Sequence, residues 1–308
     1  MQCWRCVGVE ALRIASPLVE DGVIAADEAA EKPLLVVIPG IDGTRMSAYL
    51  QLPKLGEMFD VRVVEASSDD RSGLDEVVET AQRLARSRQQ YYVLGESFGA
   101  LVALKIHESL PARGIILVNP ATSYRRSRLA QSRRLLSLFF AGDAFFFPLQ
   151  LLLIFGGRYL PRAIDTPERE AYMGRFAASL PARLGFDPAT MRWRLEHWLE
   201  PASAAWKVPD SATTNLVVVV GERDEALPSL EEARTTFAAF PRVVVPGAAH
   251  ATTLGLRCDL SAVARRYFFG EAVTPPPPPD EPTVLGLVRR KHPPVDPFRY
   301  NSYRACEI

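Results

Sequence analysis

The stretch YYVLGESFGALVAL, residues 91–104, decides the fold of this 308-residue chain. An apolar run at 91–94 passes through Gly95-Glu96-Ser97-Phe98-Gly99 directly into a helical pattern that continues to residue 109. A strand that turns at once into a helix holds the central serine of a G-x-S-x-G sequence in a strained turn and presents its hydroxyl outward. We therefore predict that Ser97 is a nucleophile.

Other short apolar runs are separated by segments of helical length, and they lie at 34–38, 61–65, 115–118, 216–220 and 243–245. Strands that are apolar on both faces and alternate with helices are typical of a parallel sheet covered on both sides. An amphipathic pattern at 74–86 predicts one of the covering helices. The expected fold class is α/β, with a mostly parallel, doubly wound sheet.

Composition excludes several classes of function. Basic and acidic residues balance at 36 each, so we expect no nucleic-acid partner. The chain has four cysteines, Cys3, Cys6, Cys258 and Cys306, which are too few for a disulfide framework. The first two have C-x-x-C spacing but lack the sequence context of a redox or zinc site. We expect no cofactor and no metal. The first thirty residues show no targeting signal, because they lack an apolar core and are rich in acids.

A long segment interrupts the strand pattern at about 121–212, too long for a simple crossover, and we predict a helical lid inserted there. Its part 135–157 is almost uncharged. That part fits lid helices lining an apolar pocket, with peripheral membrane contact as an alternative. A membrane span is disfavoured by Gly142, Asp143 and Pro148 near its middle.

The predicted domain organisation has three parts. Residues 1–31 form an N-terminal extension, and residues 32–270 form the main domain with its lid. A proline-rich tail at 271–308 opens with a polyproline spacer and continues without hydrophobic periodicity, so we expect it to be unstructured.

A serine hydroxyl needs a base to accept its proton, and the chain has four histidines. His107 lies far along the helix that follows Ser97, His197 lies in the predicted lid, and His292 lies in the tail. His250 follows the last strand, at the edge of a parallel sheet where active-site loops gather. We therefore predict that His250 is the base.

The acid that orients the base should follow the preceding strand, where Gly221-Glu222-Arg223-Asp224 is followed by Glu225. Asp224 is favoured because a short loop must extend before a carboxylate can turn to the histidine ring. Glu222 and Glu225 are expected to be solvated or ion-paired. The chain order Ser, Asp, His is the one that the α/β-hydrolase fold uses.

Acyl transfer also needs backbone donors for the oxyanion. The Phe98 N–H is one candidate, because it follows the nucleophile. The loop 39–44 after the first predicted strand supplies the other, either Ile41 or Asp42. For the Asp42 side chain, a direct role in the site is one hypothesis, and a turn-forming role is the other.

With these residues in hand, the chain resembles the hydrolase portion of the phytyl ester synthase and diacylglycerol acyltransferase-like family of plants and algae. The resemblance covers about 32–270 and is most specific in VNPATSYRRSRL at 118–129. The other matching stretches are PGIDGT at 39–44, FDVR at 59–62, DRSGLDEVVE at 70–79, the quoted 91–104, VVVVGERDEALPSLEEA at 217–233 and PGAAH at 246–250.

The resemblance implies the α/β-hydrolase fold, a plastid location, and Ser97, Asp224 and His250 as a catalytic triad. It also implies fatty-acyl transfer to phytol or diacylglycerol from donors such as acyl-CoA, acyl carrier protein or galactolipid. Members of the family commonly continue into a second, acyltransferase-type domain that these 308 residues do not include. Ester hydrolysis, with water as the acceptor, is therefore the alternative expectation.

Two further hypotheses stay open at this point. A catalytically silent hydrolase-fold protein would bind a lipid or a partner through the same lid. A hydrolase of small soluble esters would keep the predicted triad but prefer short acyl chains.

Overall fold

The computed structural model describes residues 12–45, 47–67, 69–127, 130, 188–224, 226–254 and 258–272. Within them, the chain forms a sheet of seven strands in the order β1-β3-β2-β4-β5-β6-β7. The strands are β1 Leu12–Ala15, β2 Leu34–Ile38, β3 Asp60–Ala66, β4 Tyr91–Glu96, β5 Gly114–Val118, β6 Leu216–Gly221 and β7 Arg242–Val245. All neighbours from β3 to β7 run parallel, and β1 is antiparallel to β3.

The helices alternate with these strands. They are α1 Pro17–Glu20, α2 Ala26–Glu31, α3 Leu52–Gly56, α4 Leu74–Arg86, α5 Phe98–Ser109, α6 Pro188–Arg194, α7 Glu200–Ala205, α8 Ser229–Thr235 and α9 Leu260–Phe268. Short 3₁₀ turns lie at Tyr49–Gln51, Ala121–Arg126 and Thr252–Leu254, and a π-helical turn at Leu195–Leu199 joins α6 to α7.

Both faces of the sheet are covered. Strands β2, β4, β5 and β6 are buried at every position, which explains why they read as unbroken apolar runs. Successive residues of β5 enter opposite cores: Ile115 belongs to the one that includes α4, α5 and α8, and Ile116 to the one with α3 and α9. The prediction of a mostly parallel, doubly wound α/β fold is confirmed.

The sheet begins earlier than the predicted main domain, which we placed at 32–270. Strand β1 lies inside the segment predicted as an N-terminal extension, and it pairs Leu12 with Ala66 and Ala15 with Val63. Its four residues are half exposed and too few to show an alternating pattern. This segment is a strand because it pairs with β3, which lies far along the chain. The local sequence gives no indication of a partner at that distance.

Several predictions fall on residues outside those described. They are most of the lid, including 135–157, the tail beyond residue 272, Cys3, Cys6, Cys306, Glu225 and His292. Among the described helices, none combines the length and apolarity needed to cross a membrane. The described residues likewise contain no cluster of side chains suited to a metal ion. Cys258 is a buried free thiol whose pKa is raised by burial.

Candidate active site

The turn between β4 and α5 holds Ser97 in a backbone conformation that residues other than glycine rarely adopt. Its φ is 53° and its ψ is −112°. A Cβ on Gly95 would lie 2.5 Å from the carbonyl oxygen of Gly99, and a Cβ on Gly99 would lie 2.0 Å from that of Ile38. Both contacts are with backbone, which cannot move aside. The spacing of glycines in G-x-S-x-G thus follows from the close packing of α5 on the ends of β2 and β4.

The structure brings Ser97, His250 and Asp224 together from three separate loops. The Ser97 Oγ lies 3.0 Å from His250 Nε2, and His250 Nδ1 lies 2.8 Å from Asp224 Oδ2. His250 is 6% exposed, and the Asp224 side chain is 1% exposed. All three residues stand at the carboxyl-terminal edge of the parallel sheet, where α/β folds place their sites.

The Asp224 carboxylate is held by more than the histidine. Its Oδ1 accepts from the backbone N–H groups of Ala226 and Leu227, each at 3.0 Å, and its Oδ2 also accepts from the Ser229 hydroxyl. Burial acts to raise the pKa of Asp224, but His250 and these donors keep it below its ordinary 3.8. An ionised Asp224 accepts the Nδ1–H of His250, so in the neutral ring Nε2 carries no proton and can accept that of Ser97.

The electrostatics around His250 favour its charged form. Burial alone would lower the pKa of His250, but the carboxylates of Asp224 and Glu96 outweigh it and raise this pKa above its ordinary 6.5. A base with a raised pKa takes up a proton more readily, although it is neutral only at higher pH.

Asn119 anchors the loop that carries His250, and the sequence analysis did not assign it a role. Its side chain donates to the His250 carbonyl and, at 2.7 Å, to Thr252 Oγ1, and its Oδ1 accepts from Gly221 N–H at 2.9 Å. Asn119 is fully buried with a φ of 40°, a region that asparagine tolerates better than most residues. The sequence signal was present in NPATS at 119–123, but only the structure shows what the asparagine does.

Glu96 is a second residue whose contribution the sequence did not indicate. Its Oε1 accepts from Thr253 Oγ1 at 2.8 Å, and its Oε2 accepts from the Ser47 hydroxyl. Glu96 is 7% exposed, and burial raises its pKa to about 7 despite both hydrogen bonds. It is therefore a buried carboxylate beside the histidine that changes charge near neutral pH.

We expect Glu96→Gln to move the acid limb of the kcat/KM profile to lower pH. Removing the Glu96 charge lowers the pKa of His250, so the neutral base becomes available at lower pH. The wild-type limb should also be broader, because the two groups titrate as a coupled pair. The measurement is kcat/KM for an ester substrate from about pH 5 to 9. Glu79→Gln, at an exposed position of α4, is the control, and an unmoved limb in Glu96→Gln would contradict the prediction.

The loop after β2 borders the nucleophile. A Cβ on Gly40 would lie 3.8 Å from the Cβ of Ser97. The loop closes as a turn in which Gly43 N–H donates to the Gly40 carbonyl at 2.9 Å. Among the described residues, no other residue accepts a hydrogen bond from the N–H groups of Ile41 and Asp42, and the Asp42 N–H contacts its own carboxylate. Either N–H stays a candidate for the second oxyanion donor.

The side chain of Asp42 is hydrogen-bonded within the turn. One of its oxygens accepts from both the N–H, at 3.2 Å, and the hydroxyl of Thr44. Burial raises the pKa of Asp42 above its ordinary value. This geometry corresponds to the turn-forming alternative considered for Asp42. The Phe98 N–H lies in the first turn of α5, where N–H groups have no intrahelical acceptor.

The other candidate side chains lie in different surroundings. His107 accepts from the Ala112 N–H through Nδ1 and contacts Thr214 through Nε2. His197 stacks on the ring of Trp193, with ring centroids 3.6 Å apart. Glu222 is exposed and accepts from the Gly247 N–H at 2.8 Å.

Comparison with known proteins adds family information to this geometry. A sequence model of the alpha/beta hydrolase family matches residues 35–298. The chain is 28% identical over 225 residues to phytyl ester synthase 1, chloroplastic, of Arabidopsis thaliana, an alignment covering 66% of this chain and 32% of that protein. It is 35% identical over 103 residues to phytyl ester synthase 2, chloroplastic, of the same plant, covering 31% of this chain and 15% of that protein. The chain thus aligns with about a third or less of these relatives.

Solved structures share the architecture. A 2-hydroxy-6-oxo-6-phenylhexa-2,4-dienoate hydrolase from Rhodococcus superposes with a TM-score of 0.57 at 18% identity, over 78% of this chain and 91% of that one. At this identity the superposition shows a common fold and does not indicate the substrate of this chain.

Proposed function

This chain belongs to the alpha/beta hydrolase family and is a serine hydrolase-type enzyme, and from this premise we propose that it transfers fatty acyl groups through an acyl-enzyme at Ser97. The observation that carries the proposal is the chain of hydrogen bonds from Asp224 through His250 to Ser97, at 2.8 and 3.0 Å. The similarity to two phytyl ester synthases supports lipid acyl esters as the substrate class.

In the first half-reaction, Ser97 Oγ attacks the carbonyl carbon of the ester while its proton moves to His250 Nε2. Asp224 stabilises the imidazolium that forms. The negative oxygen of the tetrahedral intermediate is bound by the Phe98 N–H and by an N–H of the loop 41–42. When the carbon–oxygen bond of the leaving alcohol breaks, that oxygen takes the proton back from Nε2, and the acyl group remains on Ser97.

In the second half-reaction, an alcohol binds where the first one left. His250 Nε2 removes the proton of the alcohol while the alcohol oxygen attacks the acyl carbon. When the bond between Ser97 Oγ and that carbon breaks, His250 returns the proton to Ser97. Phytol is the acceptor that the names of the two relatives support, and diacylglycerol is the acceptor that the sequence resemblance implies. A lipid substrate is also compatible with peripheral membrane contact through 135–157, a segment outside the described residues.

Water is the second candidate acceptor, and the same residues would then form a lipid carboxylester hydrolase. It is supported by the family model, which is that of alpha/beta hydrolases. The atoms at Ser97 and His250 activate water in the same way as an alcohol. The acceptor is decided by how well the site excludes water during the lifetime of the acyl-enzyme.

Product analysis separates these outcomes. Purified wild type and Ser97→Ala are incubated with a long-chain acyl donor, with and without phytol or diacylglycerol, and the lipids are analysed. We expect phytyl ester or triacylglycerol from the wild type only. Free fatty acid as the sole product, again only from wild type, would establish the hydrolase instead.

A fluorophosphonate probe gives a substrate-independent check, since it reacts with an activated serine. We expect it to label wild type and not Ser97→Ala. No labelling and no turnover in wild type would favour the silent binding protein, and a preference for acetyl over long-chain esters would contradict the lipid substrate.

A further inference from the structure

Arg194 is an almost fully buried cation at the end of α6. It is 1% exposed, and the π-helical turn Leu195–Leu199 follows it directly. Burial lowers the pKa of Arg194 to about 10, so the side chain remains charged at neutral pH. Such turns recur at functional sites, and a charge is costly to bury unless several acceptors surround it. The guanidinium of Arg194 therefore requires several acceptors around it.

The guanidinium of Arg194 binds backbone carbonyls of two loops. Its Nη1 donates to the carbonyl of Asp42 at 2.6 Å and to that of Ile41 at 3.2 Å. Its Nη2 donates to the carbonyl of Ser67 at 2.7 Å. The planar fork of arginine reaches these acceptors together, which the single ammonium group of lysine does not do in the same geometry.

These contacts fix the orientation of the loop that borders Ser97. In a trans peptide the C=O and N–H point in opposite directions, so holding the Ile41 carbonyl also sets the direction of the Asp42 N–H. The remaining carbonyls of the turn are held as well, Gly40 by the Gly43 N–H and Gly43 by the Ala66 N–H, each at 2.9 Å. Without Arg194, the peptide between residues 41 and 42 would lose the hydrogen bond to its carbonyl, and the next peptide would lose the shorter bond at the Asp42 carbonyl.

The same helical turn also contacts the other candidate donor residue. The Arg194 guanidinium lies over the ring of Trp198, 4.6 Å from its centroid. Trp198 in turn stacks on Phe98, with ring centroids 5.3 Å apart and an angle of 18°. The indole N–H of Trp198 donates to the Ser72 carbonyl at 2.7 Å, which fixes the ring. One turn of helix thus supports both backbone segments that carry the predicted oxyanion donors.

We propose that Arg194 is a positioning residue for the oxyanion hole, which holds the loop 41–42 so that a backbone N–H faces the oxygen of the tetrahedral intermediate. Trp198 acts with it by supporting Phe98. This inference rests on the proposed acyl transfer at Ser97. Because Arg194 and Trp198 belong to the segment predicted as the lid, at about 121–212, the oxyanion hole also depends on the docking of this helical turn on the loops after β2 and β3.

The test compares Arg194→Gln, Arg194→Lys and the control Arg62→Gln. Arg62 is also partly buried and ion-paired, with its Nε 2.7 Å from Asp60 Oδ1, but it lies near the start of β3, away from the site. For Arg194→Gln we expect kcat to fall about 100-fold with KM nearly unchanged, because a misdirected donor weakens the transition state and not the bound ester. Arg194→Lys should give a smaller loss, and it stays informative if the glutamine variant fails to fold.

Affinity for an alkyl trifluoromethyl ketone distinguishes positioning from a general structural role. Ser97 Oγ adds to the ketone carbon and His250 takes the serine proton, so the bound adduct has an oxyanion like that of the intermediate. Affinity for this ketone should fall by the same factor as kcat/KM. A folded variant with wild-type kcat, or with lower kcat but unchanged affinity for the ketone, would overturn the proposal.

Hydrogen exchange tests the inference independently of activity. The Gly43 and Ala66 amides are hydrogen-bonded within this loop system, and we expect them to exchange at least about tenfold faster in Arg194→Gln and unchanged in Arg62→Gln. Unchanged exchange would overturn the role of Arg194. If wild type is neither labelled by fluorophosphonate nor active, the proposed acyl transfer fails, and the exchange result alone decides whether Arg194 holds the loop.

Discussion

Alanine at Ser97 or at His250 is expected to lower kcat about 10⁶-fold, and the double variant should be no slower than either single variant. The two side chains are joined by one hydrogen bond of 3.0 Å, across which the proton moves in each half-reaction. Removing either partner eliminates the same step, so the second removal costs nothing more. Independent contributions would instead multiply.

The measurement is kcat for a long-chain p-nitrophenyl ester with the two single variants and the double variant. His197→Ala serves as the histidine control, because His197 is exposed and contacts Trp193 instead of the triad. That control should keep wild-type kcat. A double variant much slower than both single variants, or a His250→Ala protein with substantial activity, would contradict a shared proton-transfer step.

The parts of the fold that sequence could predict are those with a local physical signature. Strands β2, β4, β5 and β6 are buried on both faces, so each appears as an apolar run of the right length. The turn at Ser97 was recognisable because backbone contact at Gly95 and Gly99 excludes any side chain. In both cases the constraint acts on adjacent residues, and the sequence records it directly.

The contacts that sequence could not predict join residues far apart in the chain. Arg194 binds a loop more than 150 positions earlier, and nothing beside it distinguishes it from the many other arginines of this chain. Glu96 could be seen next to Ser97, but its burial depends on Ser47 and Thr253 closing over it. Asn119 stood in a recognisable motif, yet its partners are the last residue of β6 and the loop that follows β7. Predicting these roles requires the tertiary structure.

Asp224→Asn is expected to lower kcat about 10⁴-fold while leaving the fold intact. The reason lies in the donors around the carboxylate. Its Oδ1 receives the N–H groups of Ala226 and Leu227, so the oxygen of an asparagine amide has to remain on that side. The amide NH₂ then faces His250 Nδ1, which must accept instead of donate.

A histidine that accepts at Nδ1 carries its proton on Nε2 and cannot take one from Ser97. Loss of the Asp224 charge also lowers the pKa of His250, so the residual activity should persist to lower pH than in wild type. Nitrogen-15 shifts of the His250 ring report the tautomer, and kcat against pH reports the rest. Asp210→Asn, at an exposed turn where the carboxylate accepts from the Ala212 N–H, is the matched control and should change neither. An Asp224→Asn protein within tenfold of wild-type kcat would mean that Asp224 does not set the tautomer of His250, and the carboxylate of Glu96 would then be the remaining candidate for stabilising its charge.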